Sequence, residues 1–165
     1  MRLLEIDRDL GGATRVLLDS STLLAFHNTH ERVHAGAVHL LRRIQDAADP
    51  LQGYFSAVSV MELLVRPLQA GPKAVGMMEA FLTKFPNLHL IEVNYEVGRS
   101  AALLRSRIKL APPDALVAAS GLHAGCEAVV TNDDRWVRRL SQAYPHVRWL
   151  YLDAYQDEVA NLRAP

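Results

Sequence analysis

Val16-Leu17-Leu18-Asp19-Ser20-Ser21-Thr22-Leu23-Leu24 opens on three apolar residues, stops at an acid, and turns apolar again after three hydroxyl side chains. An apolar run without polar alternation reads as a strand buried on both faces, as in a parallel sheet. Asp19 ends that strand, and Ser20 and Ser21 are placed to cap a short helix, Thr22 to His27. Further along, Ala128-Val129-Val130-Thr131-Asn132-Asp133 has the same form: an apolar strand, a hydroxyl, then an acid.

Between and beyond these two strands, short apolar runs alternate with amphipathic segments. Thr29 is a cap candidate for a helix carrying Val33, Ala37, Leu40, Leu41 and Ile44, closed by Pro50. Tyr54 to Ala57 is a second strand, and a helix through Val60, Leu63 and Leu64 is expected to break near Pro67. Pro72 opens a helix that ends before Pro86, and Leu88 to Val93 is a third strand. Asn94 caps a helix with Val97, Ala101, Leu104 and Ile108 on one face. Pro112-Pro113 starts the next, stopped at Gly125, and a helix from Arg135 to Ala143 precedes a last strand, Val147 to Leu152. This alternation predicts an α/β fold, a mainly parallel sheet covered by helices on both faces, in one domain over residues 1–165. Ligands in such folds bind beyond the carboxyl ends of the strands, where strand order switches. Residues 1–14 receive no assignment.

The 165 residues suit one domain; half are hydrophobic and 22% charged, which excludes a disordered chain. Eighteen Lys and Arg balance eighteen Asp and Glu, which argues against coating nucleic acid by bulk charge but leaves room for a local grip. The lone Cys126 excludes an intrachain disulfide and a cysteine metal site. No signal run or membrane-length apolar stretch is present, so a cytoplasmic protein is expected.

Four acids fall near the same edge of the expected sheet. Asp19 and Asp133 end strands, Glu62 follows one, and Asp114 stands in the first turn of the helix after two prolines. Three have a plain structural alternative, Asp114 and Asp133 as caps and Glu62 as a solvated side chain, whereas an acid ending a buried strand, as Asp19 does, is less often structural. Together, carboxylates held close repel, and the usual resolutions are protonation or a bound cation. Oxygen ligands select hard ions such as Mg²⁺ or Mn²⁺, and such an ion activates water and neutralises a phosphodiester. There is no Gly-x-Ser-x-Gly elbow or Cys–His signature to supply another nucleophile.

On these motifs the sequence resembles the PIN-domain nucleases, and among them the VapC toxins of toxin–antitoxin pairs. Val16 to Leu24 looks like the family's opening strand and first acid, and Ser59-Val60-Met61-Glu62-Leu63-Leu64 like its second. Pro113-Asp114-Ala115-Leu116-Val117-Ala118-Ala119 looks like the third, and Val129-Val130-Thr131-Asn132-Asp133 like the fourth. The resemblance runs from about Arg15 to Leu152. It implies a three-layer α/β/α sandwich and a Mg²⁺- or Mn²⁺-dependent endoribonuclease. Asp19, Glu62, Asp114 and Asp133 would be the catalytic acids, with the metal on Asp19, Asp114 and Asp133 and hydroxyl support from Ser21 and Thr131. It also implies an RNA substrate, a homodimer and a cognate antitoxin. One departure stands out: relatives often carry an extra acid just before the aromatic after the fourth motif, and here that place is Arg135, before Trp136. Asp134, one position earlier, is a candidate to replace it, and whether one metal or two are held stays open.

Two other readings stay open. His30-Glu31-Arg32-Val33-His34 matches H-E-x-x-H, the helical zinc site of metallopeptidases, although Ala37 and Leu40 stand where metzincins carry Gly and a third His. Asp19-Ser20-Ser21 is similar to the D-x-S-x-S site of domains that bind metal without chemistry, with Leu23 in place of the last Ser. Arg99, Arg105, Arg107 and Lys109 on one helix and its end, and Arg135, Arg138 and Arg139 on another, read either as solvated faces or as phosphate contacts. Phe26, Met61, Met77, Met78 and Phe81 are either core or an apolar surface for a partner helix.

Overall fold

Five strands, β1 (Arg15–Leu18), β2 (Gln52–Ser56), β3 (Leu88–Ile91), β4 (Ala128–Thr131) and β5 (Arg148–Tyr151), form one sheet in a computed structural model that describes residues 1–156. Residues 157–165 of the expected domain lie outside the described residues. The strand order is β3-β2-β1-β4-β5 and every pairing is parallel. The chain steps from β1 outward to β3, then returns to lay β4 on the other side of β1. Strand order therefore reverses between β1 and β4, which in open parallel sheets is where a crevice forms beyond the carboxyl ends.

Alternating side chains of the central strands feed two separate cores. Val16 and Leu18 of β1, with Ala128 and Val130 of β4, pack against α1 (Leu3–Leu10), α2 (Ser20–His27), α3 (His34–Gln45), α5 (Pro72–Lys84) and Leu63 of α4 (Ala57–Ala70). Leu17 and Val129 face the opposite way, into α6 (Tyr95–Ile108), α7 (Pro112–His123) and α8 (Asp134–Ala143). The result is the α/β/α sandwich expected from the sequence, with β1 buried from both sides; each buried leucine contributes about 1.5–3 kcal/mol. Helix α7 lies so close to β1 that a Cβ on Gly121 would meet the Cδ2 of Leu17 at 2.7 Å and its Cβ at 3.1 Å. No described helix is long and apolar enough to cross a membrane.

Several boundaries differ from the sequence reading, each for a local reason. Residues 1–14 contain α1, which buries Ile6 and Leu10 and ends at Gly11 in the left-handed region (φ 53). Helix α2 starts at Ser20, because Asp19 itself caps it by accepting from the Ser20 N–H. Helix α3 starts at His34, not behind Thr29. Asn28 takes the local donors instead, its side chain accepting from the His30 N–H and its carbonyl from the Glu31 N–H, which holds the segment in turns. Helix α4 does not break at Pro67 but continues to Ala70. Proline there forfeits one backbone bond, and packing of α4 on α5 holds the rest. The apolar set divides cleanly. Met78 is buried, Phe26 and Phe81 stack at 5.5 Å, and Met61 and Met77 are exposed.

Candidate active site

Asp19 follows β1 at the strand-order switch and is only 9% exposed. Its N–H donates to the Val130 carbonyl at 3.0 Å, so the acid leaves the sheet beside β4. Its Oδ1 accepts from the Ser20 N–H (2.8 Å), and its Oδ2 from the Ser21 hydroxyl (2.9 Å) and the Thr131 hydroxyl (3.0 Å). A hydroxyl has one proton. With that proton given to Asp19, the two oxygens accept from the turn after β4: Ser21 Oγ from the Asn132 N–H (2.9 Å) and Thr131 Oγ1 from the Asp133 N–H (3.1 Å). Ser21 and Thr131 thus tie the ends of β1 and β4 to one carboxylate oxygen. Burial pushes the Asp19 carboxyl up from its ordinary value; the three hydrogen bonds pull it down and the charge of Glu62 adds to the rise.

Glu62 is exposed, in the second turn of α4, and accepts from the Ser20 hydroxyl on its Oε2. That hydroxyl also lies 3.4 Å from Asp19 Oδ1, so one proton stands between two carboxylates. Asp114 is the third residue of α7 and does not cap it, since the cap position is Ala111, without a side-chain bond. Partial burial raises its carboxyl; a hydrogen bond from the Trp136 side chain opposes this, and the charges of Asp133 and Glu62 reinforce it. Asp133 caps α8, accepting from the Arg135 N–H at 2.9 Å. The Arg135 guanidinium grips the same carboxylate with both prongs, Nε to Oδ1 at 3.1 Å and Nη2 to Oδ2 at 2.7 Å, and holds it below its usual range. Asp134 faces elsewhere, paired with Arg138 at 2.6 Å.

The four acids form one electrostatic chain, Asp19 to Glu62, Glu62 to Asp114, Asp114 to Asp133. They are coupled without being gathered: among the described residues no three acid, histidine or cysteine side chains stand together as a metal cluster. Glu62 is turned to Ser20 and Asp133 to Arg135. The donor set nevertheless fits a hard divalent cation. It is all oxygen, and its most buried member, Asp19, has no ion pair among the described residues.

The engagement of Asp133 by Arg135 escaped the sequence reading, although an acid at a helix cap with an arginine two residues on is a legible spacing. The H-E-x-x-H segment lacks the helix a zinc site needs. His30 to Val33 precede α3, and the Nδ1 of His34 is 2.8 Å from the Ala25 carbonyl.

A family model described as the PIN domain matches residues 16–141. No curated protein sequence matches the chain. Similar solved structures include VapBC2 from Rickettsia felis bound to a DNA fragment from their promoter (TM-score 0.59, 15% identity, 82% of this chain and 97% of that one). A toxin–antitoxin complex from Klebsiella pneumoniae aligns with TM-score 0.60 and 20% identity over 80% of this chain and 94% of that one. VapC20 from Mycobacterium tuberculosis, a Sarcin-Ricin loop cleaving toxin, aligns with TM-score 0.55 and 20% identity over 74% and 94%. At such identities the likeness is one of fold.

Proposed function

This chain belongs to the PIN domain family, and from that premise we propose that it is a metal-dependent endoribonuclease, the toxin of a toxin–antitoxin pair. The observation that carries the reading is the chain of four coupled carboxylates across the β1–β4 switch, with its most buried member fixed by Ser21 and Thr131. Asp19, Asp114 and Asp133 would hold Mg²⁺ or Mn²⁺. When bound, the ion supplies charge neutralisation at the phosphodiester and a more acidic water. The protein's own part is positional. Ser20, Ser21 and Thr131 orient Asp19, Ser20 orients Glu62, and Trp136 orients Asp114. Glu62, exposed at the mouth, is the group we assign to accept a proton from the water whose oxygen attacks phosphorus, as the P–O bond to the leaving ribose oxygen breaks and that oxygen takes a proton from solvent.

The antitoxin and the homodimer belong to the same proposal. Two of the fold neighbours are complexes by their own description, VapBC2 and the Klebsiella assembly. On this chain, a groove of about 470 Å³ between α2, α4 and α5 is lined by Leu24, Leu63, Ala74 and Met78, and Met61 and Met77, on α4 and α5, are 61% and 67% exposed. An amphipathic helix of an antitoxin is a suitable occupant.

The test is hydrolysis of a labelled RNA by the purified chain with Mg²⁺ or Mn²⁺, repeated with chelator and with Asp19→Asn and Asp114→Asn. Cleavage that needs the metal and vanishes in both variants supports the reading. Cleavage unaffected by either substitution refutes the site. Growth arrest on expression, relieved by a neighbouring small reading frame, tests the toxin role separately.

A further inference from the structure

Resting on the nuclease reading, we propose that Lys109, Arg139 and Arg107, with Arg135 at the inner end, form a cationic lane that seats the nucleic-acid backbone on one side of the acid cluster. A cavity of about 250 Å³ is lined by Lys109, Arg135 and Arg139 together with Asp114, Asp133 and Trp136. A second, of about 500 Å³, shares Lys109 and Arg139 with it and adds Arg107 and Gln142. The two adjoin at those shared residues, so cations run outward from the acids along the end of α6 and the face of α8. Lys109 closes α6 in the left-handed region (φ 58), and its carbonyl accepts from Arg139 Nη1 at 3.4 Å, which fixes the two helices' cations side by side.

Among the described residues no ion pair engages Lys109, Arg107 or Arg139, whereas Arg138, on the same helix, is taken by Asp134 and Arg43, in the other layer, by Asp7 and Asp49. Other cations among the described residues are also without an ion pair; what sets these three apart is that they line the cavities that start at Asp114 and Asp133. Bare carboxylates repel phosphate, and a strand brought to them needs cations next door to hold its flanking phosphates. Guanidinium forks and an ammonium supply that contact without reading bases. Arg135 would exchange Asp133 for a phosphate as the strand arrives.

The experiment is fluorescence anisotropy of a labelled 12-nucleotide single-stranded oligoribonucleotide, in chelator, titrated at several KCl concentrations. Lys109→Gln/Arg139→Gln should bind about tenfold more weakly near 0.1 M salt. Its slope of log affinity against log salt should fall by about 1.4, roughly 0.7 for each of two phosphate contacts on a single strand. Arg42→Gln, exposed on α3 in the opposite layer, should change neither quantity. With Mn²⁺ present, the double variant should show a KM raised about tenfold and a kcat within about twofold of the unsubstituted protein. The lane is refuted if the double variant keeps the parent's affinity and slope, if Arg42→Gln loses as much, or if the parent protein shows no salt-dependent binding. Equal displacement of the oligonucleotide by a poly-glutamate peptide of the same charge would refute it in favour of an acidic protein partner. Loss of binding in the double variant, with no cleavage by the parent in either metal, would leave the lane standing and sink the nuclease reading instead.

Discussion

At the scale of single residues, the carboxylates are held in opposite electrostatic states. Burial raises the Asp19 carboxyl, so the folded protein binds that proton more tightly than the unfolded chain does. The stability linked to it is full below the ordinary carboxylate range and is lost as pH rises through the folded value. Metal-free Asp19→Asn should therefore melt at or above the parent at pH 7, and the difference should shrink towards about pH 3–4; a variant that melts lower at pH 7 would mean the hydrogen bonds outweigh burial. Asp133 is the converse case, lowered by Arg135. Because Asp134 is spent on Arg138, Asp133→Asn should cost far more cleavage than Asp134→Asn. The reverse order in a matched rate assay would move the fourth acid one residue along.

At the scale of elements, what was legible in the sequence is what repeats locally. The β1 and β4 strands announced themselves as apolar runs ending in acids, and Asn94 as a cap, since its side chain does accept from the Val97 N–H at 3.0 Å. What stayed illegible depends on partners distant in sequence. Helix α1 exists because the sheet offers Ile6 and Leu10 a surface, and α4 outlasts Pro67 because α5 supports it. The exchange of an acid for Arg135 could be read, and the spacing of Asp133 and Arg135 allows their contact, but the two-pronged geometry of the grip could not be read, because a side chain's direction is set by the folded turn. The H-E-x-x-H segment failed for a local reason, the competition of Asn28 for its backbone donors. His30→Ala should accordingly leave cleavage intact. His34→Ala should cost about 1 kcal/mol of stability, from its bond to the Ala25 carbonyl, with the rate per folded molecule unchanged; stoichiometric zinc lost in both variants would reverse this. Helix α7 gives a sharper test. Gly121 stands two turns below Asp114 on the same helix face, and Leu17 cannot dodge an added methyl by rotating, because its own Cβ is in the way. Gly121→Ala should lower stability by about 1–3 kcal/mol and reduce cleavage more than its folded fraction accounts for, measured by activity against a calorimetric melt.

At the scale of the whole molecule, the candidate site draws on residues from Asp19 to Asp133 of a 165-residue chain. The acids come from the turn after β1, from α4, from α7 and from the cap of α8, and the bond from Thr131 to Asp19 spans 112 residues. A fragment ending at Ser120 carries three of the four acids and neither Thr131 nor β4. It should bind no oligoribonucleotide specifically and cleave none, and cleavage by such a fragment would place the chemistry in the first three motifs alone. The parallel placement of β4 against β1 also has a consequence in time. During synthesis the strand that ends in Asp19 emerges early and waits, with one side unfilled, for a neighbour more than a hundred residues behind it. At about 5–20 residues per second that wait is on the order of ten seconds. On the proposed nuclease reading, the growing polypeptide would be harmless throughout it to the message being translated, and a polypeptide aborted within that interval would never acquire the activity.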